Sequence, residues 1–155
     1  MNFVRKLMIL STCMALTTPV FAAELSEKQA KNAVEYRQSS MQLVKSNIVP
    51  LGAMAKGKAP INEEIISKNA LRLEQLGLMI SDYFVADTRN NDVSNKASDA
   101  IWENQVDFNE KAANLAKASK ALQGFVANKE TQNYRKGIAA VGATCKACHD
   151  DYKKD

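Results

Sequence analysis

Apolar residues recur every three or four positions along most of this chain, which is the spacing of amphipathic α-helices. Glycine and proline are scarce, at six and three residues in 155, so few positions interrupt the pattern. Four such stretches are separated by polar segments or by segments that contain glycine and proline. The chain is therefore expected to be all-α, an antiparallel four-helix bundle in which each helix buries one face.

The first two helices have recognisable ends. Ser26-Glu27-Lys28-Gln29 has the form of a capping box, so the first helix should begin near Ser26. Pro50 is predicted to end it, because the residue before a proline is disfavoured in the helical region. Asn62 can cap the second helix. The buried faces are predicted to consist of Ala30, Ala33, Val34, Arg37, Met41, Val44 and Ile48, then Ile65, Ile66, Leu73, Leu76, Met79, Ile80 and Tyr83.

The second half of the chain predicts a loop and two more helices. Residues 87–95 are rich in Asn and Asp and should form the loop. The third helix should end near Gly124. Its apolar residues are Ile101, Phe108, Leu115 and Leu122, seven apart, with Trp102 and Ala112 beside them. The fourth helix has the most regular stripe, alternating by four and three: Tyr134, Ile138, Val141, Cys145, Cys148 and Tyr152.

Residues 145–149 read Cys-Lys-Ala-Cys-His, which is the signature for c-type haem attachment. Two thiols can add across the two vinyl groups of a haem, and the adjacent His149 can then ligate the iron. His149 is the only histidine of the chain, which excludes a bis-histidine cytochrome. Both cysteines fall on the inward stripe of the fourth helix. We therefore expect the haem to lie between this helix and the rest of the bundle.

Three other interpretations of this motif are weaker. A zinc site takes about four ligands, and two cysteines with one histidine leave it short. A thioredoxin-like cysteine pair would lie near a β-α-β pattern, and the predicted elements are helical. A structural disulfide between Cys145 and Cys148 would need no histidine beside it.

The N-terminus has the pattern of a secretory signal peptide. Arg5 and Lys6 precede the apolar run 7–16, and Val20-Phe21-Ala22 suits signal peptidase, so cleavage is expected after about Ala22. The run is shorter than the roughly 20 residues of a membrane span. Residues 23–155 should therefore form one haem domain in the periplasm.

The charge of the chain points to no special partner. Removal of residues 1–22, which contain two cations and no acid, lowers the formal charge from +4 to +2. Basic residues are not interleaved with aromatic ones, so nucleic-acid binding is not expected. No stretch after residue 22 predicts an integral membrane segment. Lys153 and Lys154 are interpreted as ordinary solvated residues, although surface lysines of this kind can also meet an acidic redox partner.

The chain resembles the class II cytochromes c, and specifically the cytochrome c prime family, over essentially all of residues 23–155. The most specific part is 141–153, Val-Gly-Ala-Thr-Cys-Lys-Ala-Cys-His-Asp-Asp-Tyr-Lys. Two further parts are 36–41, Tyr-Arg-Gln-Ser-Ser-Met, and 100–102, Ala-Ile-Trp, with Phe108 following.

This resemblance implies one covalent haem c attached through Cys145 and Cys148, with His149 as the axial ligand of the iron. It also implies that Arg37 and Gln38 contact the haem, that Met41 packs over its distal face, and that Thr88 reaches a propionate. The family typically forms homodimers through its first two helices.

The residues themselves give Arg37 a physical reason to bind a haem propionate. An unpaired guanidinium on the inward stripe of a helix is costly, and a propionate would satisfy it through a charge-assisted pair. The alternative is that Arg37 points outward at the edge of the stripe.

The sequence leaves two states of the iron open, and the resemblance to cytochrome c prime around residues 37–50 favours the first. In one, the haem is five-coordinate and high-spin, transfers single electrons with redox partner proteins and binds small gases such as NO and CO. In the other, the sulfur of Met41 is the sixth ligand and the protein is a low-spin electron carrier. A peroxidase needs a distal acid–base group, and the only histidine is already used, so no enzyme is expected.

Overall fold

The structure is a computed structural model that describes residues 24–154, so the predicted signal peptide lies outside the described residues. Within this range, five α-helices and one short 3₁₀ helix, Thr131–Asn133, follow each other. The α-helices are α1 Glu27–Ala55, α2 Glu63–Tyr83, α3 Ala100–Glu103, α4 Gln105–Ala127 and α5 Tyr134–Tyr152.

The four long helices form a ring in which α1 packs against α2 and α5, and α4 packs against the same two. Contacts between α1 and α2 show that the two run antiparallel. Asn69 donates to the carbonyl of Asn47, and near the start of α1 Arg37 donates to the carbonyl of Tyr83, at the end of α2. The predicted all-α, antiparallel four-helix bundle is confirmed. Across the described part of the chain, no helix is long and apolar enough to cross a bilayer.

Both predicted helix caps are confirmed. The Ser26 hydroxyl accepts from the backbone N–H of Gln29 at 3.4 Å, and the Gln29 side chain accepts from the backbone N–H of Ser26 at 2.9 Å. The Asn62 side chain accepts from the backbone N–H of Ile65 at 2.9 Å. These bonds satisfy N–H groups that the first turn of a helix leaves without partners.

The prediction that Pro50 ends the first helix is wrong, because α1 continues to Ala55 with Pro50 inside it. A proline in a helix interior costs about 3 kcal/mol. The next turn buries Leu51 and Met54, which are 0% and 3% exposed, and each such side chain contributes roughly 1.5–3 kcal/mol. Arg135 also donates to the carbonyls of Met54 and Ala55 at the end of the helix.

The third predicted helix is divided. Asn104, with φ −134° and ψ 55°, separates the single turn of α3 from α4. The break turns Trp102 towards the end of α2, where its indole N–H donates to the carbonyl of Phe84 at 3.1 Å. The prediction that Gly124 ends the helix is also wrong: α4 continues to Ala127, because Val126 extends its buried face.

Most of the predicted apolar stripes are buried, but Met79 is 42% exposed. Gly77, rather than Met79, lies where α2 crosses α4. A Cβ atom at Gly77 would lie 2.9 Å from the backbone nitrogen of Ala116, so a larger residue would force the helices apart. On α1, the buried face also takes in Ser40 and Asn47, which the sequence did not predict.

Candidate haem site

The two cysteines of the motif lie one turn apart on α5 as free, half-buried thiols. Cys148 packs against the apolar core, and the Cys145 thiol donates to the carbonyl of Val141 at 3.7 Å. Burial raises the pKa of both thiols, that of Cys148 to about 11. Both therefore stay protonated near neutral pH, whereas a redox-active cysteine pair needs a low-pKa thiolate.

His149 is exposed on α5, beside the two thiols. Cys145 and His149 follow Gly142 by three and seven residues, so the three positions share one face of the helix. A Cβ atom built at Gly142 would meet no heavy atom within 4 Å, so this face has open space beside it. Two thiols, an imidazole and an open helix face suit a planar group attached at this position.

A separate metal site is not formed by the residues that the structure describes. Within residues 24–154, no three His, Cys, Asp or Glu side chains are grouped so that they could hold a metal ion. The zinc interpretation therefore finds no ligand set among these residues.

The packing of α1 against α5 brings His149 level with Met41. Arg135 contacts Met54 and Ala55. The helix pairs α1 and α2, α2 and α4, and α4 and α5 are each antiparallel, so α1 and α5 run in opposite directions. Since both rise by about 1.5 Å per residue, His149 should lie level with roughly residues 40–41 of α1. Met41 is half-buried and packs against the apolar core.

Arg37 is buried in the interior at 3% exposure, so the alternative in which it points outward is wrong. Its guanidinium donates to the carbonyls of Tyr83, at 2.9 Å, and Ala86. The guanidinium carbon lies over the rings of Phe84 and Trp102, 5.1 and 4.9 Å from their centroids. Burial lowers the pKa of Arg37, which is only partly opposed by the charge of Asp87.

Thr88 is brought to the same place, although it lies 51 residues from Arg37 in sequence. Its buried hydroxyl accepts a 2.9 Å hydrogen bond from Arg37 and lines a cavity of about 270 Å³ together with Arg89, Trp102 and Lys154. The hydroxyl proton remains available to an acceptor, as do two of the five guanidinium N–H groups. Gln38 is exposed at the next position of α1, about 100° around the helix from Arg37.

Sequence reasoning missed the network that fixes the end of α5 to α4. The Tyr152 hydroxyl donates to Asp107 at 2.5 Å, and Lys111 lies 2.9 Å from Asp151. Burial and the hydrogen bond to Asp107 raise the pKa of Tyr152 to about 12. The sequence signal for this network was the spacing of Asp107 and Lys111, which are four positions apart and so neighbours on one helix face. The network holds the turn that carries the motif.

A second missed feature is the attachment of the loop after α2 to the end of α5. The backbone N–H of Ser98 donates to the carbonyl of Tyr152 at 3.0 Å, and that of Lys154 donates to the carbonyl of Lys96 at 2.9 Å. This loop contains Thr88, which accepts a hydrogen bond from the buried Arg37. The loop therefore connects the surroundings of Arg37 to the helix that carries the cysteines.

Arg37→Ala should lower the free energy of unfolding of the haem-loaded protein by about 3 kcal/mol, because it leaves buried acceptors at Tyr83, Ala86 and Thr88 without their donor. Urea unfolding measures this loss. The exposed Arg72 on α2 provides the control, and Arg72→Ala should change stability by less than about 0.5 kcal/mol. Equal effects of the two substitutions would contradict the assignment.

Comparison with known proteins identifies close relatives. Residues 32–153 match the family model described as cytochrome C'. The cytochrome c' of Cereibacter sphaeroides is 30% identical over 151 residues, which cover 96% of this chain and 97% of that one. Cytochrome c prime from Shewanella frigidimarina superposes with a TM-score of 0.75 at 30% identity, covering 83% and 98% of the two chains. A nitric oxide complex of a variant of cytochrome c prime from Alcaligenes xylosoxidans has a TM-score of 0.71 at 28% identity, covering 81% and 96%.

Proposed function

Because this chain belongs to the cytochrome c prime family and is an electron-transfer and gas-binding protein with a covalent haem c, we propose that its iron is five-coordinate and high-spin. The position of Met41 level with His149 carries the proposal. An apolar side chain at the height of the imidazole would crowd the sixth site without donating a proton. When bound, haem supplies one-electron exchange and a site for small uncharged gases.

In this proposal, Cys145 and Cys148 hold the cofactor. Each thiol adds its sulfur and its proton across one vinyl group, so two thioether bonds form and no oxidant is needed. His149 would ligate the iron. The support is the face of α5 that Cys145 and His149 share, the open space beside Gly142 and the free state of both thiols.

Arg37 and Thr88 are proposed to bind a propionate, with Gln38 beside them. The unused N–H groups of Arg37 and the hydroxyl proton of Thr88 offer donors to a carboxylate within one buried cluster. The rings of Phe84 and Trp102 hold the guanidinium in place. Arg37 therefore orients the cofactor while it fixes the loop after α2.

Met41 is proposed as the distal residue because the other methionines of residues 23–155 lie elsewhere. Met54 is 13 positions further along α1, about 20 Å away along the helix, and Met79 is exposed on α2. The packing of Met41 against the core favours a space-filling role. The second candidate, a low-spin carrier with the Met41 sulfur on the iron, uses the same residue and differs in the spectrum.

We further propose that the protein is not an enzyme. Peroxide cleavage needs a distal group that accepts and returns a proton. Arg37 already donates to three protein acceptors and packs against two aromatic rings, so it is poorly placed to do this. Robust steady-state turnover with peroxide would contradict this part of the proposal.

Residues 1–22 are proposed to direct export to the periplasm and to be removed, which leaves residues 23–155 as one domain. Redox partner proteins would meet the end of α5, where His149 is exposed. Charges there are largely paired within the chain, with Lys146 at 2.5 Å from Asp150 and Lys154 at 2.9 Å from Asp99. Strong electrostatic steering of the partner is therefore not expected.

A homodimer through α1 and α2 is proposed from their exposed apolar residues, which follow seven-residue spacing on each helix. They are Tyr36 and Leu43 on α1, Leu71 and Leu78 on α2, and Val85 just after the end of α2, between 49% and 70% exposed. Sedimentation of the haem-loaded protein should give a dimer, and Leu78→Glu should shift it towards monomer.

The optical spectrum tests the proposed state of the iron. At neutral pH the ferric protein should be high-spin and lack the long-wavelength sulfur-to-iron band, and the ferrous protein should bind CO. Appearance of that band would contradict the five-coordinate state and assign Met41 as the sixth ligand.

A further inference from the structure

Gly142 lies in the middle of α5, where the chain's own packing gives no reason for a glycine. A glycine inside a helix is about 1 kcal/mol less favourable than alanine. Close contacts explain Gly77 and Gly137, because a Cβ atom at either would lie 2.9 Å from a neighbouring atom. At Gly142 a Cβ atom would meet nothing within 4 Å.

Gly52 and Gly124 also have open space beside them, but each lies three positions before the end of its helix, in the last turn. Helix ends tolerate glycine well. Gly142 stands eight positions after the start of α5 and ten before its end. Its position therefore needs another explanation.

The open space beside Gly142 lies on the side of α5 that faces α1. Arg135, two turns earlier on the same side of the helix, reaches the carbonyls at the end of α1. By the same register, Gly142 lies level with roughly residues 47–48 of α1. Cys145 and His149 follow on this face one and two turns later. The space is therefore next to the proposed attachment site, on the side of α5 towards α1.

We propose that Gly142 is a positioning residue, which keeps this face of α5 free of side chains so that the haem macrocycle can lie against the helix backbone. The inference rests on the proposed roles of Cys145 and His149. Its physical content is steric: a methyl group at position 142 would stand between the ring and the helix, and well-packed interiors respond to such additions with strain. The competing explanation is that the space holds only solvent.

The two explanations predict opposite signs for Gly142→Ala. If the space holds solvent, alanine removes the cost of a helical glycine and raises the midpoint temperature of the haem-loaded protein. If the space holds the macrocycle, alanine should lower this midpoint by about 3 °C or more and shift the ferric absorption spectrum. Gly142→Leu should do both more strongly and lower the fraction of purified chains that carry haem.

The experiment compares wild type, Gly142→Ala, Gly142→Leu and the control Gly124→Ala, each purified after export. Thermal unfolding, the ferric spectrum and the intact mass are measured for each. The control should leave the spectrum unchanged and the midpoint equal to or above that of wild type. A Gly142→Ala protein that behaves like the control would overturn the inference.

The intact masses distinguish a failure of the Gly142 inference from a failure of the proposed haem attachment. If wild type carries haem and the position-142 variants match it in spectrum, midpoint and haem content, only the role of Gly142 is wrong. If wild type carries no haem, the proposed attachment fails, and the inference fails with it.

Discussion

His149→Ala is expected to leave the haem covalently attached and to remove imidazole ligation from the iron completely. The chain has no other histidine, so no second imidazole can replace it. Cys145 and Cys148 are untouched, so the thioether bonds should still form. Resonance Raman spectroscopy of the ferrous protein should show loss of the iron–histidine vibration, and the reduction potential should change because the axial ligand helps to set it.

Two controls separate ligand loss from damage to α5. Lys146→Ala changes an exposed residue on the same helix and should keep the iron–histidine vibration. Added free imidazole should restore an imidazole-ligated spectrum to the His149→Ala protein. An unchanged vibration in that variant would show that His149 is not the axial ligand.

Met41→Ala should speed CO association by about tenfold, which corresponds to roughly 1.4 kcal/mol removed from the barrier. The reason is that in wild type the Met41 side chain, held against the core, must move before a ligand reaches the sixth site. Flash photolysis of the CO complex measures the rate directly.

Met54→Ala is the matched control, since it truncates the same residue type on the same helix at the opposite end of the bundle. Met54 is buried at 3% exposure beside Arg135, so the substitution should cost stability without changing CO association. A faster rate in Met54→Ala together with an unchanged rate in Met41→Ala would show that the distal residue is wrongly assigned.

Local patterns of the sequence were sufficient for the helices and for the attachment motif. The capping side chains of Ser26 and Asn62 act within three residues, and the stripe of α5 repeats within one turn, so both are readable from neighbours in the chain. Pro50 shows the limit of such reasoning. Its local preference is overridden by the burial of Leu51 and Met54, which depends on helices that lie far away in sequence.

The cluster around Arg37 could not be derived from local patterns. Its acceptors at Tyr83, Ala86 and Thr88 lie 46 to 51 residues away, and they meet it only because α1 and α2 pack in one register. The family resemblance pointed to Thr88, while neither the sequence pattern nor the resemblance indicated the pair of rings that cover the guanidinium. Local patterns also did not indicate the break at Asn104, which positions the ring of Trp102.

The register between α1 and α5 is the other feature that needed the structure. The apolar stripes place Met41 on the inward side of α1 and His149 beside the inward side of α5 but give no relative height along the bundle. The contact of Arg135 with the last carbonyls of α1 supplies it. This one contact places Met41, rather than Met54, at the height of the proposed iron ligand.

Mass spectrometry of the exported protein, denatured before analysis, tests the attachment on which the other proposals depend. The proposal predicts a chain that begins after about residue 22 and carries the mass of one haem, with both Cys145 and Cys148 modified in the peptide that contains them. A colourless protein with the mass of the bare polypeptide would contradict it.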